Sequence, residues 1–139
     1  MRKTIVLGLL ATAAMFAAAQ AQVVPYKATL GGASEVPPVQ GQATGAAAVN
    51  VDPKTKGVSW SVTYAGLSGP PAAAHIHCGA AAGANAGVAV SLGDKLTSPI
   101  QGSGTMTDAQ MADLAAGKCY VNIHTAANKG GEVRGQLAK

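Results

Sequence analysis

Beyond about residue 22, apolar and polar positions alternate along most of this chain, and a period of two is that of a β-strand. The clearest case is Val58-Ser59-Trp60-Ser61-Val62-Thr63-Tyr64. Val58, Trp60, Val62 and Tyr64 share one face and Ser59, Ser61 and Thr63 the other, the pattern of a half-buried antiparallel strand. Asp52-Pro53-Lys54-Thr55-Lys56-Gly57 precedes it as a turn, and the segment Ala46–Val51 is β-compatible, so residues 46–64 read as a hairpin. Further strands are predicted over Val23–Leu30, Ala73–Cys78, Val88–Leu92, Gly102–Met106, Cys119–Thr125 and Glu132–Leu137, separated by Gly- and Pro-rich punctuation. One segment has helical spacing. Thr107-Asp108-Ala109-Gln110 has the form of a capping box, Met111, Leu114 and Ala115 follow, and Gly117 suits a helix stop, so one short helix is predicted from about Asp108 to Ala116. The sum is an all-β fold with one short helix, an antiparallel β-sandwich or Greek-key barrel, without a repeat long enough for a solenoid.

The first residues follow another pattern. Arg2 and Lys3 precede an uncharged apolar run from Ile5 to Ala19, and Ala19-Gln20-Ala21 supplies a small-x-small cleavage site. This is the signature of a signal peptide over residues 1–21, and the run is short for a permanent span of ~20 residues. The expected product is a single domain over residues 22–139, secreted or periplasmic. The leader carries two of the ten basic residues and none of the six acids, so the net charge falls from +4 to +2 on cleavage. No Lys/Arg cluster remains, which removes the electrostatic basis for nucleic-acid binding. No second apolar run is long enough to cross a bilayer, so no stable membrane insertion is expected after cleavage. With 48% hydrophobic and 12% charged residues, neither a disordered chain nor a coiled coil fits. Nucleophile elbows, phosphate-binding loops, Cys-x-x-Cys and His-Glu-x-x-His motifs are missing, so no catalytic residue is assigned.

The chemistry-bearing residues fall into two short segments. Ala74-His75-Ile76-His77-Cys78-Gly79 holds two of the three His, and Cys119-Tyr120-Val121-Asn122-Ile123-His124-Thr125 holds the third. On strands, period two places His75 and His77 on one face of the first, with Ile76 and Cys78 opposite. In the second, Tyr120, Asn122 and His124 share a face and Cys119, Val121 and Ile123 point away. Cys78 and Cys119 can therefore meet on the apolar side. An oxidising compartment favours a disulfide, against the alternative of two buried free thiols. His75, His77 and His124 can converge on one ion, and three neutral imidazoles suit copper or zinc. Glu132 is a candidate fourth ligand or an acceptor that orients an imidazole, with Asn122 and Arg134 on the same faces. The alternative is that the His residues brace loops and bind nothing. Arg134 reads either as an anchor for an anionic ligand beside the histidines or, favoured, as the partner of an internal carboxylate, Glu35 or Glu132.

Four segments carry a family resemblance: Leu30-Gly31-Gly32-Ala33-Ser34-Glu35-Val36-Pro37-Pro38-Val39, Ala74-His75-Ile76-His77-Cys78-Gly79, Tyr120-Val121-Asn122-Ile123-His124-Thr125 and Gly131-Glu132-Val133-Arg134-Gly135-Gln136-Leu137. Together they resemble the CHRD domain, a module first described in chordin and found in many secreted bacterial proteins. The resemblance spans nearly all of residues 22–139. It implies an extracellular or periplasmic β-rich domain and no settled biochemical activity. The cysteine pair rests on strand parity rather than on the family. The expected function is that of an exported binding protein for a metal ion, copper or zinc, or another small ligand, with no protein partner identified. The alternatives are a structural or interaction module without metal and an enzyme with a mononuclear three-His centre.

Overall fold

The computed structural model describes residues 22–139, and the predicted leader over residues 1–21 lies outside them. The chain forms β1 (Val24–Gly31), β2 (Thr44–Asp52), β3 (Gly57–Ala65), β4 (Pro71–Cys78), β5 (Val88–Ser91), β6 (Ile100–Thr105), helix α1 (Asp108–Ala115), β7 (Cys119–Thr125) and β8 (Val133–Gln136). A 3₁₀ turn, Gly32–Ser34, follows β1. All eight strands join one sheet in the order β5-β4-β7-β8-β1-β2-β3-β6, and every pairing is antiparallel.

The sheet curls on itself until it is nearly a barrel. Its inward residues form one apolar cluster drawn from both ends of the strand order, including Val62 and Ile100 on one side and Ile76 and Val90 on the other. A Cβ placed on Gly104 of the edge strand β6 would lie 3.7 Å from Val90 of the opposite edge strand β5. The fold class is thus the expected one, with the two layers of a sandwich made by a single rolled sheet. Alternation is clearest in β3, where Val58, Trp60 and Val62 are buried while Ser59 and Thr63 are exposed. Burying each such side chain contributes about 1.5–3 kcal/mol. Gly102 pairs with Trp60, and a Cβ there would come within 2.6 Å of the indole, so β6 needs glycine where the ring lies across it.

Helix α1 begins as the capping box predicts. The Thr107 hydroxyl accepts from the Gln110 N–H at 3.2 Å, and the Gln110 side chain accepts from the Thr107 N–H at 2.9 Å. The helix ends one residue before the expected boundary, and Gly117 at φ +72° turns the chain toward β7. Among the described residues no helix is long and apolar enough to cross a membrane.

Cys78 and Cys119 stand directly opposite each other in the β4–β7 ladder and are disulfide-bonded across 41 positions. Because the bridge closes a long loop, replacing both cysteines by serine is expected to cost about 2–4 kcal/mol of stability. Urea denaturation measures this, and a loss under about 1 kcal/mol would show that the clamp is dispensable.

Candidate metal centre

The β4–β7 register places the site. His77 lies opposite Tyr120, His75 opposite Asn122 and Ala73 opposite His124. On the other side of β7, Asn122 pairs with Arg134 and Tyr120 with Gln136 of β8. Ala74, Ile76, Val121 and Ile123 point into the apolar core. The imidazoles therefore lie on the outer face, as strand parity predicts. That face is covered: His77, Asn122, Tyr120, Arg134 and Glu35 are all buried, while His75 and His124 are half-buried. Residues 79–87 and 126–132 contribute hydrogen bonds to this face, and the chain after β1 is tied to the first of these by the Asn85 amide donating to the Val36 carbonyl.

Each ring has a defined orientation. Nδ1 of His77 lies 2.9 Å from the Ala86 carbonyl, and Nδ1 of His124 lies 2.9 Å from the Lys129 carbonyl. A carbonyl only accepts, so both Nδ1 atoms carry the proton and donate. Nε2 of His77 stands at hydrogen-bond distance, 3.0 Å, from Asn122 Oδ1. Nε2 of His124 lies 3.1 Å from Nδ1 of His75. One ligand atom from each of the three rings falls within a sphere of mutual distances no greater than 4.8 Å. With metal–nitrogen bonds of ~2.0–2.1 Å, two ligand nitrogens 3.1 Å apart subtend about 100° at an ion, between square-planar and tetrahedral. A separation of 4.8 Å exceeds the ~4.2 Å that two such bonds can span, so a ring must move for all three to bind one ion. The three imidazoles form a group that could hold a metal ion.

Burial and the neighbouring rings favour the neutral form. Burial, then His124, then His77 hold His75 below the ordinary imidazole range. For His124, burial lowers the value, the Lys129 carbonyl partly opposes it and His77 lowers it further. Both rings are thus poised to offer lone pairs near neutral pH.

Behind the histidines lies a stacked column. The Tyr120 ring lies parallel to His77, with centroids 4.8 Å apart, and the Arg134 guanidinium covers its other side at 3.4 Å from the centroid. Arg134 donates to the Asn85 side chain at 3.0 Å and to the Ala84 carbonyl at 2.6 Å. It thereby holds the loop whose Ala86 carbonyl orients His77. No side-chain signal marks Ala84, Ala86 or Lys129, because each contributes a backbone carbonyl.

The carboxylates divide. Glu132 lies apart from the imidazoles. It accepts from the Ser68 N–H at 2.7 Å, the Ser68 hydroxyl at 2.6 Å, the Thr125 hydroxyl at 2.6 Å and the Asn128 amide at 3.1 Å. Burial pushes its carboxyl up, but those hydrogen bonds together hold it below the ordinary range. Glu132 thus ties the β3–β4 connection to the β7–β8 turn, and backbone carbonyls orient the imidazoles in its place. Glu35 approaches Asn122 and Arg134. It lies beside the Asn122 amide, and its Oε1 is buried without a hydrogen-bond partner. Burial pushes its carboxyl from 4.5 up to about 7, against the pull of the Arg134 guanidinium and of hydrogen bonds from Asn122 and Val36. A side chain on Gly131, at φ +129°, would run into Glu35 and Asn122.

A family model described as the CHRD domain matches residues 26–137. No curated protein and no solved structure matches the chain.

The buried Glu35 carries a pH signature. A folded-state value of about 7 above an unfolded 4.5 means that the unfolded chain releases the proton first as pH rises. Stability from this group is full below about pH 4.5 and is lost as pH rises to about 7, up to ~3 kcal/mol at 1.4 kcal/mol per unit. Glu35→Gln keeps the shape without the charge. It is expected to match the wild type at pH 4 and to exceed it in stability at pH 8, by urea midpoints. A Gln variant that is less stable at pH 8 would contradict the assignment.

Proposed function

The chain belongs to the CHRD domain family, and from that premise we propose that it is an exported, non-catalytic binding protein that coordinates a transition-metal ion, copper or zinc, through His75, His77 and His124. The observation that carries this reading is the pair of Nδ1–carbonyl hydrogen bonds, which turn the Nε2 atoms of His77 and His124 inward beside His75. Nε2 of His77 also stands 3.0 Å from Asn122 Oδ1. Here the remaining nitrogens also converge. The Cys78–Cys119 bridge supports export, because such bonds persist in oxidising compartments.

Arg134 serves this centre indirectly in the proposal, by clipping residues 84–86 over the site. Its guanidinium is buried and already bonded to protein groups, which favours bracing over capture of an anion.

Saturating Zn2+ or Cu2+ at pH 7.5 is expected to raise the melting temperature of the purified chain, since an ion at a hundredfold its Kd adds about 2.7 kcal/mol. His77→Ala and His124→Ala each abolish the shift. Because His75 and His124 titrate below the ordinary 6.5, the shift should persist at pH 6.5 and disappear on further acidification, as protons displace the ion. A wild-type melting temperature unmoved by either metal at pH 7.5 defeats the proposal.

A further inference from the structure

From the uneven anchoring of the three rings we infer that His75 is the exchangeable ligand of the centre, the side on which an ion enters and from which it passes to another chelator, with His77 and His124 as the fixed side. This rests on the metal-binding reading above and adds a route of transfer to it. Both ring nitrogens of His77 stand at hydrogen-bond distance from protein oxygens, 2.9 Å from the Ala86 carbonyl and 3.0 Å from Asn122 Oδ1. One face of that ring stacks on Tyr120, whose other face Arg134 covers. His124 is tied through Nδ1 to the Lys129 carbonyl at 2.9 Å. The His75 ring lacks such an anchor. Among the described residues, its hydrogen-bond contact runs from Nδ1 to Nε2 of His124, at 3.1 Å.

The place of each ring in the sheet accounts for the difference. β4 lies between β7 and β5, and β5 is an edge of the sheet. The loops over residues 79–87 and 126–132 reach His77 and His124 with the carbonyls of Ala86 and Lys129. His75 pairs with Asn122 of β7 on one side and with the exposed Ser91 of β5 on the other. It is half-buried, whereas His77 is buried. The ring without a loop contact thus lies one strand from the open edge of the sheet.

A ring must move before one ion can hold all three nitrogens. Turning His77 would break its bond to the Ala86 carbonyl, its contact with Asn122 and its stack on Tyr120. Turning His124 would break its bond to the Lys129 carbonyl. Each of these losses leaves a main-chain carbonyl without its partner, which is costly where water is excluded. Turning His75 forfeits only its contact with His124, and a shared ion takes the place of that contact. Coordination through Nε2 of His77 keeps that ring's carbonyl bond and its stack. Handing the ion on is then a ligand substitution at one position. His75 lets go as a nitrogen or oxygen donor of the acceptor takes its place, so one metal–ligand bond breaks and one forms. Nothing is oxidised or reduced, and His77 and His124 hold on until the acceptor has engaged.

The test loads the purified chain with one equivalent of Zn2+, or of Cu2+ if only that ion raises the melting temperature. Transfer to the chromophoric chelator pyridylazoresorcinol is then followed at rising chelator concentration. An exchangeable His75 predicts a transfer rate that climbs with chelator concentration, because the chelator enters before the ion leaves. His75→Ala and His75→Gln are expected to keep the ion with weaker affinity and to release it about tenfold faster, since affinity differences between related complexes fall mainly on the off-rate. His77→Ala and His124→Ala are expected to hold no measurable ion. Metal-free melting temperatures report whether each variant is folded. A wild-type rate independent of chelator concentration would overturn the inference. So would His75 variants that lose the ion as completely as His124→Ala, that release it no faster than wild type, or that both fail to fold without metal. Each of these outcomes leaves the three-His reading intact. Failure of the wild type to take up either ion removes both.

Discussion

The register of β4 on β7 is the constraint on which both the core and the site depend. With Cys78 opposite Cys119, the inward positions Ala74, Ile76, Cys119, Val121 and Ile123 join the apolar core, and the outward positions His75, His77, Tyr120, Asn122 and His124 carry polar rings or an amide. A slip of one residue in β4 would turn His75 and His77 toward the apolar core and Ile76 away from it. The penalty for burying unpartnered imidazoles makes that alternative costly, and the disulfide ties the ladder at one end. The apolar core and the histidine cluster are therefore two consequences of one pairing.

The outer face of that pairing is unusual in being buried as well. Three loops cover it, and they satisfy its polar groups largely with main-chain carbonyls: Ala84 and Ala86 from one loop, Lys129 and Gly130 from another. The inner side is packed by hydrophobic contact and the outer side by directed hydrogen bonds. Directed bonds set ring orientation and tautomer, which hydrophobic packing cannot do. Arg134 shows the difference. It is among the most buried large side chains, yet its role is to hold a Gly/Ala-rich loop that has little apolar surface of its own.

Among the described residues, Glu35 Oε1 and Trp60 Nε1 are the buried side-chain atoms left without a hydrogen-bond partner. The carboxyl lies beside the Asn122 amide, whose Oδ1 is 3.0 Å from Nε2 of His77. Stable domains rarely leave buried polar groups in this state, and where they do the location is informative. Glu35 adjoins Asn122 of the histidine face, while Glu132 is fully bonded to Ser68, Thr125 and Asn128.

Alternation alone determined much of this protein. It set the strands to within a few residues, sorted all three His onto one face and both Cys onto the other, and placed Tyr120 and Asn122 with the imidazoles. These readings succeed because side-chain direction in a strand depends only on parity, a local property of the backbone. The capping box around Thr107 is legible for the same reason: its partners lie three residues apart. What tertiary structure decided was everything that depends on distant segments. The rolling of one sheet into both layers follows from pairing β8 with β1 and β3 with β6, which no local pattern encodes. Glu132 finds Ser68 across 64 positions, so its parity beside His124 did not bring it to the site. The atoms that orient His77 and His124 are main-chain carbonyls, a group that every residue carries, and only the folded path of the loops selects Ala86 and Lys129 for the task.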